Sequence, residues 1–225
     1  MEKQHIIPSY GRKRSHGLSD SQKNNLSTLY KFYGIDLPED IIDPRQLFEG
    51  KFDKIILEIG FGNGEHLINR ALQKTSVGFI GCDPFENGVA SILKEIQKHD
   101  LKNIKIFNGD VRLLLEKLKD HSIFRMYTLF PDPWGKRKHH KRRLLSAEFI
   151  SGMMHKIILT GSVIIATDHE DYMLNILENL KDIPRIKYCR NMDQLSAKPL
   201  CLSTTKYEQK ALNQQRKCYY IRVYV

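Results

Sequence analysis

Residues 129–143 carry the densest chemistry in the chain. Pro131-Asp132-Pro133-Trp134 sets one carboxylate between two prolines, and positions 136–143 then hold six Lys or Arg among eight residues. Proline fixes φ near one value, so a carboxylate flanked in this way is presented from a stiffened turn. Such an acid can bind the edge of a base or stabilise positive charge that develops during a reaction. The run Lys136, Arg137, Lys138, His139, His140, Lys141, Arg142, Arg143 suits the neutralisation of phosphates, which sets register without reading sequence. Taken singly, the acid reads as a turn residue and the run as a solvated loop. Their adjacency favours a site. No Cys nucleophile or Ser-His pair accompanies them. His139 and His140 have no third ligand nearby, so phosphate or backbone contacts are expected and no metal. Trp134, the single tryptophan, either stacks on a base or anchors the loop.

A second constellation is Glu58-Ile59-Gly60-Phe61-Gly62-Asn63-Gly64-Glu65. Glycines let a backbone turn sharply and approach a ligand closely. The dinucleotide fingerprint Gly-x-Gly-x-x-Gly is not met, because the third glycine arrives one residue early and Glu65 stands in its place. Glu58 would repel a pyrophosphate but suits a cationic ligand. S-adenosylmethionine carries an ammonium and a sulfonium, so the charge favours it over NAD. Asp83 lies 23 residues after Gly60, a distance at which an acid can accept hydrogen bonds from a ribose diol. Asp110 falls where an adenine amino group would rest. Either aspartate alone could be a helix cap.

These residues need a scaffold, and the pattern supplies one. Short apolar runs at 55–57, 77–82, 104–107, 126–130 and 162–166 read as strands, with a last strand over 218–225. Helical segments are expected at 65–73, 89–98, 111–118 and 147–158. Ser19 and Gln22 have capping-box spacing for an earlier helix that Gly34 ends. Alternating strands and helices predict an α/β fold with a parallel sheet covered on both faces. Ligands in such sheets sit beyond the carboxyl ends of the strands. The glycine loop, Asp83, Asp110, residues 131–143 and Asp168 all follow a strand, so five segments should meet at one edge.

The chain has 225 residues and a net charge of +10, enough for one α/β domain with an extension and suggestive of a polyanionic partner. Residues 1–17 read as a flexible basic arm, 18–50 as an N-terminal helix and linker, and 51–225 as the main domain. The four cysteines lack metal-ligand spacing. The N-terminus lacks an apolar signal region, and the longest apolar stretch is broken by Thr160, Gly161 and Ser162, so a cytoplasmic protein without a membrane span is expected.

From residue 12 to residue 208 the sequence resembles the bacterial tRNA (guanine-N7-)-methyltransferase family. The resemblance rests on Leu57-Glu58-Ile59-Gly60-Phe61-Gly62, Asp110, Phe130-Pro131-Asp132-Pro133-Trp134 with its basic run, Thr167-Asp168 and Thr205-Lys206-Tyr207-Glu208. It implies a Rossmann-like class I methyltransferase fold, with a mostly parallel seven-stranded sheet and helices on both faces. It implies S-adenosylmethionine as cofactor, held by Glu58, Gly60, Gly62, Gly64, Asp83, Asp110 and Val111. Asp132 is implied as the catalytic acid that also faces the cofactor. Lys136 and Asp168 would contact substrate, and Lys138, His139, His140, Lys141, Arg142 and Arg143 would bind RNA. Thr205, Lys206, Tyr207 and Glu208 would close over cofactor and base. The implied substrate is a guanosine in the variable loop of tRNA. The sequence leaves monomer and homodimer both open and points to no obligatory protein partner.

The sequence departs from the family at several points. Asp83 stands where members usually carry Glu, and Gly135 replaces a commoner Pro or His. The family's Gly- and His-containing tail is replaced by residues 209–215, so the implied contacts stop at Glu208. Three other readings compete: a methyltransferase with another RNA or a non-RNA substrate, a non-catalytic RNA-binding protein of the same fold, and an NAD-linked oxidoreductase. Glu58 and Glu65 disfavour the last, and the intact set Glu58, Asp83, Asp110 and Asp132 disfavours the second.

Overall fold

A computed structural model describes residues 13–225. Seven strands form one sheet: β1 Ile55–Ile59, β2 Gly78–Cys82, β3 Ile104–Phe107, β4 Ile123–Leu129, β5 Ile157–Thr167, β6 Lys187–Tyr188 and β7 Tyr219–Tyr224. Their spatial order is β3-β2-β1-β4-β5-β7-β6. β7 runs antiparallel to both β5 and β6, and every other pairing is parallel. β1 and β2 are buried at every position, as parallel strands covered on both faces must be. The helices are α1 Asp20–Thr28, α2 Tyr30–Tyr33, α3 Glu65–Gln73, α4 Glu86–Lys98, α5 Val111–Lys117, α6 Ala147–Lys156, α7 Glu170–Asn179, α8 Met192–Ser196 and α9 Lys206–Asn213. They bury two apolar clusters, one on each sheet face. The strand order reverses between β1 and β4, which places the ligand crevice at their carboxyl ends.

The first helix starts as its spacing predicts. Ser19 Oγ accepts from Gln22 N, and Gln22 returns the bond to Ser19 N. α1 and α2 do not stand apart from the sheet domain. Asn25 donates to the Ala90 carbonyl in α4, Ile35 N bonds the Ile106 carbonyl of β3, and Leu29 and Phe48 join the two cores. Residues 1–12, most of the expected arm, lie outside the described residues. The last part of that arm, 13–17, is pinned at the start of α4. There Arg14 Nε donates to Glu86 at 2.7 Å and Ser15 N to Asn87 at 3.1 Å.

Two strands begin earlier than their apolar runs suggested. β4 starts at Ile123, with a register irregularity between Ile123 and Arg125, and β5 starts at Ile157 through the polar 160–162 stretch. The helix expected over 147–158 ends at Lys156, and Ile157 and Ile158 open β5 instead, where backbone pairing also carries the polar 160–162 stretch into the sheet. β6 was missed because two residues carry no periodicity. α9 was missed as well, although Thr205 and Glu208 have the capping-box spacing that starts it.

Candidate active site

The glycine loop follows β1 into α3. Gly60, Gly62 and Gly64 all have positive φ, between 59° and 84°. At Gly64 a side chain would also meet Ile92 of α4 at 2.3 Å, so this third glycine permits helix packing rather than ligand approach. Glu58 lies beneath the loop, 3% exposed, and its Oε2 is 2.7 Å from His66 Nδ1 of α3. Asp83, at the end of β2, accepts from Gly62 N at 2.8 Å and from Phe85 N at 2.9 Å. It therefore clamps the glycine loop rather than capping α4. Burial lifts its pKa from 3.8 to about 6, opposed by those two N–H groups and helped by the charges of Glu58 and Asp132. Asp110 is the N-cap of α5, accepting from Arg112 N, and the Arg112 guanidinium grips its carboxylate through two bonds of 2.9 and 2.6 Å. Val111 follows it, buried in the first turn.

The loop after β4 is entered through Phe130 at φ 54°, a left-handed conformation that turns the chain sharply. Trp134 at φ 46° turns it again. Between them Asp132 is exposed on the ligand side, near enough for its charge to act on buried Asp83. Trp134 packs edge-on against His139, and the Arg142 guanidinium lies 5.0 Å from its ring centroid. Residues Arg137–Arg142 coil into a 3-10 turn. Lys136, Lys138 and Lys141 are exposed on it. Desolvation and the neighbouring cations lower the pKa of His139.

Arg143, expected in the RNA-binding strip, points inward instead and is 8% exposed. Its Nε donates to the Pro133 carbonyl at 2.9 Å and its Nη1 to Asn175 at 3.2 Å, while Nη2 binds Asp171 of α7. Its guanidinium also stacks on Tyr172 at 4.8 Å. His140 stays half-buried beside it, with Nε2 3.1 Å from Arg143 Nη2. Every guanidinium nitrogen of Arg143 is engaged, so its part is to fix the loop and not to meet a phosphate.

The C-terminal segment folds back on the glycine loop. Thr205 caps α9 and Glu208 completes the box. Glu208 is 3% exposed, accepting from Tyr220 Oη at 2.5 Å and from Lys198 Nζ at 2.8 Å. Thr205 and Glu208, both expected to touch substrate, are thus occupied in holding α9. The residues between them face outward: Lys206 and Tyr207 are exposed. The Tyr207 ring lies over Gly62, 3.5 Å from where a side chain there would begin. Asp168, at the end of β5, is ion-paired with Arg216 beyond α9.

A family model described as "Putative methyltransferase" matches residues 53–221. The tRNA (guanine-N(7)-)-methyltransferase of Wolbachia pipientis wMel is 41% identical over 76% of this chain and 75% of its own. That of Neorickettsia sennetsu is 35% identical over 81% of this chain and 79% of its own. The chain belongs to the tRNA (guanine-N7-)-methyltransferase family. Among solved structures, the aminoglycoside resistance methyltransferase NpmB1 aligns with a TM-score of 0.57 at 11% identity, over 82% of this chain and 93% of that one. The 16S rRNA methyltransferase KamB aligns at 0.54 and 15% identity, over 82% and 93%. At such identities these likenesses show the fold alone, a class I methyltransferase fold.

In this methyltransferase the carboxyl ends of β1, β2, β3, β4 and β5 bring Glu58, Asp83, Asp110, Asp132 and Asp168 to one edge, as the strand-end rule required. Arg143, Thr205 and Glu208 are buried behind that edge. Sequence reasoning passed over His66, Asn175 and Asp171, which hold Glu58 and Arg143 in place, and read Arg216 only as part of a basic cluster and not as the partner of Asp168. His66, the second residue of α3 and set against β1, was open to detection by helical spacing. The other partners lie too far along the chain for any local signal. Among the described residues no helix is long and apolar enough to cross a membrane, and no cluster of His, Cys, Asp and Glu could hold a metal ion.

Proposed function

We propose that the chain transfers a methyl group from S-adenosylmethionine to N7 of a guanosine in tRNA, in the cytoplasm. One observation carries the reading. An exposed acid, Asp132, sits on a loop locked by Arg143, at the same strand edge as the buried Asp83 whose pKa its charge helps to raise. One carboxylate is available to a base and the other to a cofactor.

The residues fit that cofactor. Glu58, Asp83 and Asp132 bring negative charge to one edge; burial is what chiefly raises the pKa of Asp83, and the charges of Glu58 and Asp132 add to the rise. A ligand bearing positive charge offsets that negative charge, whereas a pyrophosphate would add to it. Glu58 would answer the ammonium, Asp83 the ribose diol, and Asp110, held in one rotamer by Arg112, the adenine amino group. The glycine loop and Tyr207 would enclose it from either side. When bound, S-adenosylmethionine supplies an electrophilic methyl group on a sulfonium.

The remaining work is positioning. N7 of guanine has a free lone pair at neutral pH, so no general base is required. The Asp132 carboxylate can accept from the N1–H and amino group of guanine, which orients the ring. The same negative charge stabilises the positive charge that the ring gains as N7 is alkylated. Lys136, Lys138 and Lys141 face solvent beside Asp132 and would meet phosphates, holding the RNA in register.

Transfer of labelled methyl to unmodified tRNA, followed by nucleoside analysis, tests the reading. Labelled N7-methylguanosine is expected. Label in an exocyclic N-methyl nucleoside, or none from protein that binds the cofactor, would overturn it.

A further inference from the structure

At the far ends of β4, β5 and β7 lies a cavity of about 320 Å³, lined by Arg125, Ser162, Lys198, Leu200, Arg222 and Tyr224 among others. It is separate from the edge that carries Asp132. The register places Arg125 beside Ser162 and Ser162 beside Tyr224. Arg125 is four residues before Leu129, or about 13 Å of strand from the catalytic edge.

Three cations converge there with one carboxylate among them. Lys198 is balanced by Glu208. Arg125 spends its Nε on Ser162 Oγ at 3.0 Å, and Arg222 spends Nη2 on the Ala197 carbonyl at 2.9 Å. Neither arginine meets a carboxylate among the described residues. Arg222 Nε is buried without a hydrogen-bond partner. Two partly exposed guanidinium groups without a carboxylate partner leave donors turned to one cavity, where an anion would join them. Lys54 extends the positive surface outward, its Nζ 4.8 Å from the Phe124 ring on which Arg125 also rests. The volume is at the small end of ligand clefts, too tight for a second nucleotide cofactor. Guanidinium forks match phosphate oxygens in pairs.

We propose that this cavity is a phosphate site, filled by a backbone phosphate of the tRNA at a distance from the methylated base. The choice of RNA as the source rests on the function proposed above. The phosphate chemistry rests on Arg125 and Arg222 alone.

The test is tRNA binding against salt concentration for the full chain and for Arg222→Gln, with Arg222→Lys as the charge-retaining control. Thermal unfolding of each is followed with and without inorganic phosphate. Arg222→Gln is expected to weaken tRNA binding about 5-fold and to reduce the salt slope by about one. Arg222→Lys should keep the slope, which separates lost charge from lost fold. Phosphate that protects the wild type but not Arg222→Gln, with RNA binding unchanged, would keep the site and make a free phosphate compound its ligand. No change in slope and no phosphate protection would overturn the proposal. Wild-type protein that fails to methylate tRNA, yet is protected by phosphate through Arg222, would remove the functional reading and leave the cavity assignment standing.

Discussion

Arg143 Nε donates to the carbonyl of Pro133, the residue that follows Asp132, at 2.9 Å. The same side chain is tied to Asn175 and Asp171 of α7 and stacked on Tyr172. The acid of the Pro131-Asp132-Pro133 turn is therefore braced from a helix that follows the next strand.

This brace predicts a division within one basic run. Arg143→Ala should destabilise the protein by about 2 kcal/mol and lower kcat, because it leaves buried partners unpaired and frees the loop. Its effect on the salt dependence of tRNA binding should be small. Lys138→Ala with Lys141→Ala should do the reverse, reducing the salt slope by about two while stability changes by less than about 0.5 kcal/mol. Binding titrations at several salt concentrations, paired with thermal unfolding, check both. Equal slope losses in the two variants would return Arg143 to the RNA surface.

Asp132 is exposed. Asp132→Ala should fold with an unchanged unfolding midpoint, bind tRNA normally and lose about 100-fold or more in kcat, the scale set by removal of a charge-stabilising group. Single-turnover rates at saturating cofactor and tRNA read this directly. Near-normal rates would take Asp132 out of the mechanism.

Asp83 makes stability depend on pH. Its folded pKa of about 6 lies above the ordinary 3.8. Between those values the folded state holds a proton that the unfolded chain has released. Stability of the ligand-free protein therefore falls as pH rises from about 4 to 6, by up to about 3 kcal/mol. Asp83→Asn removes this slope. Above pH 6 it should raise the unfolding midpoint by several degrees, less what is lost at one of its two backbone N–H bonds. It should also weaken cofactor binding. In the wild type, cofactor affinity should decline as pH drops below 6 and Asp83 takes up its proton. Thermal unfolding and calorimetric titration from pH 4 to 8 test both, and a flat wild-type profile would contradict the assignment.

Tyr207 covers Gly62. Tyr207→Ala should raise the Kd for cofactor about 10-fold and leave global stability nearly unchanged, because the side chain is exposed. Arg216→Ala, which frees Asp168 from its ion pair, should loosen the same closure. Equilibrium dialysis with labelled cofactor measures both. Unaltered affinity in the Tyr207 variant would make α9 a structural helix only.

The sequence by itself determined what local physics encodes. Apolar runs alternating with helical periods fixed the central parallel strands, and the Ser19 box fixed the first helix start. The strand-end rule then placed the glycine loop, Asp83, Asp110, residues 131–143 and Asp168 at one edge. Glycine spacing and the charge of Glu58 separated a cationic cofactor from a dinucleotide. The tertiary structure decided which charges face the ligand and which hold the frame. Lys138 and Arg143 look alike in a run with six Lys or Arg among eight residues, yet one is exposed and the other is buried against Asp171, 28 residues on. Asp168 likewise takes its partner, Arg216, from beyond the last helix. Side-chain direction in a charged loop depends on contacts made by elements distant in the chain. Residue type and spacing carry no record of those contacts.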